Sequence, residues 1–206
     1  MTGARSRFMA VFCGHAGISL ALLSVSLAWA GDAKEIASTV CVACHGEGGN
    51  SVVPMFPKLA GQHPDYLAKQ LNEFISGKRK NEIMAPTIAG LSKGDVPGLA
   101  AYYAAQTQAP GAVEDARLAE AGKKLYEDGN TDSGVPACMG CHQPKGEGNE
   151  RFPRLAGQHQ TYTQQQMADF KGGVRTNDKG KVMRAVAERM TEQEMKAVSE
   201  YIAGLK

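Results

Sequence analysis

The chain has little net charge, few cysteines and no long hydrophobic run, and each shortage narrows the possibilities. Its 23 basic and 21 acidic residues leave a formal charge of +2, and the Lys and Arg are scattered rather than gathered into a stripe. Such a balance gives no footing for nucleic acid. The longest strongly apolar run, Ile18 to Ala28, is shorter than the roughly 20 residues that cross a bilayer. No alternating run is long enough to read as a strand. With 24 glycines, 43% hydrophobic and 21% charged residues in 206, the composition is neither collagen-like nor low-complexity.

The apolar run belongs to a different signal. Arg5 and Arg7 precede it, and Ala28-Trp29-Ala30 closes it with small residues at the positions read by a signal peptidase. Residues 1–30 are therefore expected to be a secretory signal, cut after Ala30. The remaining 176 residues hold 21 basic and 21 acidic side chains and four cysteines: Cys41, Cys44, Cys138 and Cys141. In an exported chain four cysteines ordinarily suggest disulfides, but the spacing here points elsewhere.

The mature chain repeats itself. Cys41-Val42-Ala43-Cys44-His45 recurs as Cys138-Met139-Gly140-Cys141-His142, and Phe56-Pro57-Lys58-Leu59-Ala60-Gly61-Gln62-His63 recurs as Phe152-Pro153-Arg154-Leu155-Ala156-Gly157-Gln158-His159. From Phe56 to Arg79, 12 of 24 positions match those 96 residues later, so the chain is a tandem duplication. The boundary is expected at Gln106 to Gly111, giving units 31–110 and 111–206.

Each unit reads as helical. Pro64 opens a segment in which Tyr66, Leu67, Gln70, Leu71, Phe74 and Ile75 share one face; Tyr162, Gln166, Met167 and Phe170 repeat it. Ser92 with Asp95 resembles a capping box for the last helix of the first unit, and Thr191 with Glu194 makes a full one for the second. Behind them Val96, Leu99, Ala100 and Tyr103 form one stripe, and Met195, Val198 and Ile202 the other. Before the first cysteines there is only a short stretch, Ala33 to Val40. The second unit opens with a helix, Ala116 to Tyr126, whose Leu118, Ala121, Gly122 and Leu125 share a face. Gly122 costs that helix about 1 kcal/mol relative to alanine, which suggests close packing against the final helix. Gly129 to Ala137 reads as a loop present in the second unit alone. Units of about 80 and 96 residues have marginal polypeptide cores, so something else should fill their centres.

Cys-x-x-Cys-His is the attachment signature of c-type haem. Two cysteines three apart on one helical turn point the same way, and each can bond one porphyrin vinyl group; the following histidine then lies under the iron. A zinc site would need two further ligands in each unit, and a thioredoxin-like pair needs a βαβ context that is absent. The expected cofactors are two covalent haem c groups, bound by Cys41 and Cys44 and by Cys138 and Cys141.

The sixth ligand must satisfy the repeat. Met55 aligns with Arg151, Met167 with Leu71, Met190 with Leu91 and Met195 with Val96, which suits packing rather than ligation. Met84 and Met183 do correspond, 39 and 41 residues beyond the motif histidines. The expected axial pairs are thus His45 with Met84 and His142 with Met183. His63 and His159 also repeat, so bis-histidine ligation stays open. The proximal rings need a partner for their other nitrogen, and the carbonyls of Pro57 and Pro153 are the nearest repeated candidates. Arg79, Arg175 and the repeated tyrosines could reach haem propionates.

With Arg175-Thr176-Asn177-Asp178 leading to Val182-Met183-Arg184, these motifs resemble those of the diheme cytochrome c4 family over Ala33 to Lys206. The resemblance implies an all-α tandem pair of class I cytochrome c domains about a pseudo-twofold axis, with haem edges meeting at the interface. It carries histidine and methionine ligation onto His45, Met84, His142 and Met183. It also implies a periplasmic carrier, sometimes loosely membrane-associated, that passes electrons from an upstream quinol-oxidising complex to a terminal oxidase. A diheme subunit of a sulfur-compound-oxidising flavoprotein complex is the competing expectation, and a diheme peroxidase a weaker one.

Overall fold

The computed structural model describes residues 29–206, so nearly all of the expected signal segment lies outside the described residues. The first unit contains α1 (Trp29–Ile36), α2 (Val42–His45), α3 (Pro64–Ile75), α4 (Met84–Thr87) and α5 (Asp95–Ala104). The second contains α6 (Ala116–Asp128), α7 (Met139–His142), α8 (Gln160–Lys171), α9 (Val182–Arg189) and α10 (Glu192–Gly204). Among the described residues there is no strand, only one isolated bridge between Asn130 and Val135. That bridge closes the loop expected at Gly129 to Ala137.

Where the first unit lacks this loop, the chain takes another route. A π-helical turn, Ala37–Cys41, joins α1 directly to α2, so helical structure runs unbroken into the cysteine motif instead of stopping at Val40. Both motif helices end at their histidine because the next residue turns left-handed: Gly46 at φ 72° and Gln143 at φ 69°. The Phe-Pro block then folds back, and the N–H groups of Leu59 and Leu155 donate to the carbonyls of Gly49 and Gly146.

The last helices supply the cores. Val96, Leu99, Ala100 and Tyr103 are buried on α5, as are Met195, Val198 and Ile202 on α10. The α10 capping box is complete, with Glu194 N–H donating to Thr191 Oγ1 and Thr191 N–H to the Glu194 carboxylate. The one expected at Ser92 is not. The Asp95 carboxylate accepts from both Ser92 N–H and Ser92 Oγ, and α5 begins only at Asp95 itself, so Ser92 caps nothing. On α6, Ala121 faces solvent and Tyr126 takes its place in the core, fully buried, with its hydroxyl donating to the Gln143 carbonyl at 2.7 Å. Met55 is also no core residue, since it stands 56% exposed on a loop. The close approach at Gly122 is real: a Cβ there would lie 1.9 Å from the Ala197 carbonyl oxygen of α10.

Many of the contacts between the units pair off under the repeat. Arg79 donates to Gln70 (2.7 Å) and across to Gln166 (2.8 Å); Arg175 donates to Gln166 (2.8 Å) and across to Gln70 (3.2 Å) and Tyr66 (2.9 Å). Each guanidinium stacks 4.5 Å over its own unit's phenylalanine, Phe74 or Phe170. The connecting segment is held from both sides. Lys58 Nζ donates to the Ala109 and Pro110 carbonyls, and Arg154 Nε to Gln108 Oε1.

Candidate functional site

The motif helices bring Cys41, Cys44 and His45 to one cavity wall, and Cys138, Cys141 and His142 do the same in the other unit. The cavity is continuous between the units and measures about 1130 Å³. Protein interiors are otherwise packed with few voids larger than a water. Met84, on the single turn α4, and Met183, on the longer α9, also line it, together with Leu59, Leu67, Leu155 and Ile202.

The histidines are oriented as their spacing suggested. His45 Nδ1 lies 2.9 Å from the Pro57 carbonyl and His142 Nδ1 lies 3.0 Å from that of Pro153. A carbonyl only accepts, so Nδ1 carries the proton and Nε2 keeps its lone pair. Burial lowers both imidazole pKa values, against a smaller upward pull from the carbonyls. Each ring is thus a neutral, aimed nitrogen donor.

His63 and His159 play another part. Neither lines the cavity; His63 Nε2 binds the Glu147 carbonyl at 2.8 Å and His159 Nε2 the Ser51 carbonyl at 2.9 Å, each across the interface. They are interface residues, a role that sequence spacing did not disclose. Met167, Met190 and Met195 are buried in the second core. Among the described residues no cluster of three His, Cys, Asp or Glu side chains is fit for a metal ion, which leaves zinc without ligands, and none of the four cysteines is paired in a disulfide.

The donor set and the surroundings fit a haem in each unit. Two thiols, a neutral imidazole nitrogen and a thioether face one largely apolar cavity. Its polar side suits a group that carries carboxylates. Arg175 is 8% exposed, and among the described residues it has no carboxylate within salt-bridge reach. A buried charge of that kind demands a counter-ion. Burial works against the Arg175 charge, but the neighbouring Tyr66 and Tyr162 outweigh it and shift the guanidinium pKa upward. Gln70 Nε2 and Thr163 Oγ1 are buried without a protein partner, and both residues line the same cavity.

Comparison with known proteins agrees with this geometry. The family model for cytochrome c matches twice, over residues 30–109 and 119–206. Cytochrome c4 of Thiocapsa roseopersicina is 50% identical over 179 residues, covering 85% of this chain and 91% of that protein. A thiosulfate dehydrogenase electron acceptor of Thiomonas intermedia is 37% identical, covering 85% and 82%. The crystal structure of reduced recombinant cytochrome c4 from Pseudomonas stutzeri superposes with a TM-score of 0.81 at 42% identity, covering 86% of this chain and 98% of that one. The duplicated helical units, the paired attachment motifs and this agreement in sequence and structure lead to one conclusion: the chain belongs to the cytochrome c4 family, electron-transfer proteins rather than enzymes, built from tandem cytochrome c domains that carry two covalent haem c groups.

Proposed function

We propose that this protein is a periplasmic carrier of a respiratory chain, which takes electrons from an upstream quinol-oxidising complex and delivers them to a terminal oxidase. Residues 1–30 direct export and are removed, and the two domains comprise 31–110 and 111–206. Haem c, once attached, supplies a one-electron iron couple in each domain. The chain's own contribution is to hold it: Cys41, Cys44, Cys138 and Cys141 as thioether anchors, His45 and His142 through Nε2, and Met84 and Met183 through Sδ.

The observation that carries this reading is the shared cavity, in which each motif histidine has Nδ1 engaged by a proline carbonyl while a repeated methionine lines the same space. Thioether donation favours the ferrous state, which suits the high-potential end of a chain. Two protein donors per iron leave no position for a substrate, in keeping with transfer rather than catalysis. No helix among the described residues is long and apolar enough to cross a bilayer.

A second reading has specific support. The relative from Thiomonas intermedia is named as an electron acceptor of thiosulfate dehydrogenase, so a sulfur-oxidising enzyme is the alternative donor. One experiment separates the two. The reduced holoprotein is mixed with oxidase-containing membranes, and the oxidised holoprotein with quinol-reduced membranes. Rapid electron transfer in both mixtures is expected. Reduction by a thiosulfate-oxidising enzyme, with none by quinol-reduced membranes, would favour the second reading.

A further inference from the structure

A peptide group has two ends, and here they serve different domains. The carbonyl that accepts from His142 Nδ1 belongs to the peptide joining Pro153 to Arg154. The N–H of that same peptide, on Arg154, donates to Gln62 Oε1 of the first domain at 2.9 Å. The repeat reproduces the arrangement. The Pro57–Lys58 peptide accepts from His45 Nδ1 at 2.9 Å and donates through Lys58 N–H to Gln158 Oε1 of the second domain at 3.0 Å.

Both glutamines are held in that pose. Gln62 Nε2 donates to the Arg154 carbonyl at 2.9 Å, and Gln158 Nε2 to the Lys58 carbonyl at 3.0 Å. Their Oε1 atoms also accept from the next backbone N–H, of His63 and His159, at 3.0 Å each. Exposure is only 8% and 7%, so water does not compete for these bonds. Each amide therefore lies against the opposite loop as a neighbouring backbone strand would, with donor and acceptor both used.

We propose that Gln62 and Gln158 are reciprocal positioning residues, each acting through one peptide group on the iron-binding histidine of the opposite domain. The physical link is polarisation. A peptide whose N–H is engaged carries more negative charge on its oxygen and accepts more strongly, an effect of about 10–30% per bond in a chain. A stronger acceptor on Nδ1–H makes the imidazole a better electron donor and fixes its plane. Electron donation favours ferric iron, so Gln62 lowers the reduction potential of the second domain and Gln158 that of the first. This rests on the assignment of His45 and His142 as iron ligands.

The test is a crossed one, made on the holoprotein. Gln62→Leu keeps the bulk of the side chain and removes both cross-domain bonds. Redox titration followed by NMR signals assigned to each domain's haem should show the potential of the second domain raised and that of the first unmoved. Gln158→Leu should do the reverse. His63→Phe is the control, since it removes a cross-domain bond to the Glu147 carbonyl without touching either peptide, and it should not reproduce the crossed pattern. A shift confined to the substituted domain, equal shifts in both, or the same pattern from His63→Phe would overturn the proposal. Should the leucine variants fail to assemble, amide exchange in the reduced wild-type protein decides. Slow exchange at Lys58 and Arg154 is expected, and exchange as fast as in exposed loops refutes it. The ligand assignment fails separately, if the wild-type spectrum lacks a histidine–iron signature.

Discussion

Replacing Gly122 by alanine tests how the second domain is assembled. An ordinary van der Waals contact at a Cβ begins near 3.4 Å, and the built Cβ would sit 1.9 Å from Ala197 O, 2.4 Å from Ala197 C and 2.9 Å from Val198 N. All three are backbone atoms of α10, which no rotamer change can move. Helices α6 and α10 must therefore separate by about 1.5 Å, with Leu125, Tyr126, Val198 and Ile202 losing part of their packing. Overpacking of this kind costs about 1–3 kcal/mol, and the rigidity of the obstacle argues for the upper end. Alanine returns about 1 kcal/mol of helix propensity. The net loss of about 2 kcal/mol corresponds to a fall in Tm of about 8–16 °C for a domain of this size. Thermal unfolding of the holoprotein by far-ultraviolet circular dichroism measures it. A Tm equal to or above that of the wild type would refute the claim that this glycine sets the helix spacing.

Four further outcomes are expected. Met84→Ala should abolish the near-infrared sulfur-to-iron band of one haem and lower its potential. Met167→Ala should keep both bands while costing about 2–5 kcal/mol of core stability; loss of a band there would break the ligand assignment. At Glu73, burial raises the carboxyl pKa, but hydrogen bonds from Lys69, Lys78 and Asn177 outweigh it and hold the group below its ordinary value of 4.5. A depressed folded-state pKa gives stability that is complete above the unfolded value and lost as pH falls through the folded one. Urea midpoints below about pH 4.5 should thus fall less steeply in Glu73→Gln than in the wild type. Thr191→Ala removes the hydroxyl that caps α10 and should cost about 1 kcal/mol, or about 4–8 °C in Tm; an unchanged melting curve would show the cap to be redundant.

What could be read from the sequence was whatever is local or periodic. The attachment motifs lie within five residues, the faces of α3, α5 and α10 follow the helical repeat, and Pro57 and Pro153 stand close enough to their histidines to be named as partners. The extra loop at Gly129 to Ala137 followed from its composition. The misreadings share a different cause. Ser92 and Thr191 look alike as letters, but the shorter aspartate side chain closes only half of a box. Ala121 and Tyr126 both fall near the stripe of α6, and only packing decides which is buried. The roles of His63, His159, Gln62 and Gln158 depend on partners 84 to 108 residues away in the chain. No short-range pattern encodes such partners, although Gly-Gln-His recurs in both units.

The reciprocity of the contacts between the halves carries a consequence for how such a chain arises. When residue i of one half meets residue j of the other, and the counterpart of j meets the counterpart of i, the surface is self-complementary in the manner of a homodimer. Gln62 with Arg154 and Gln158 with Lys58 obey that rule. A half with such a surface matches its own copy, so the covalent connection need only tether the two, and each half can then vary away from the seam. The difference between Met55 and Arg151, and between a one-turn α4 and a two-turn α9, records that divergence, while Gln62 and Gln158 keep their reciprocal partners.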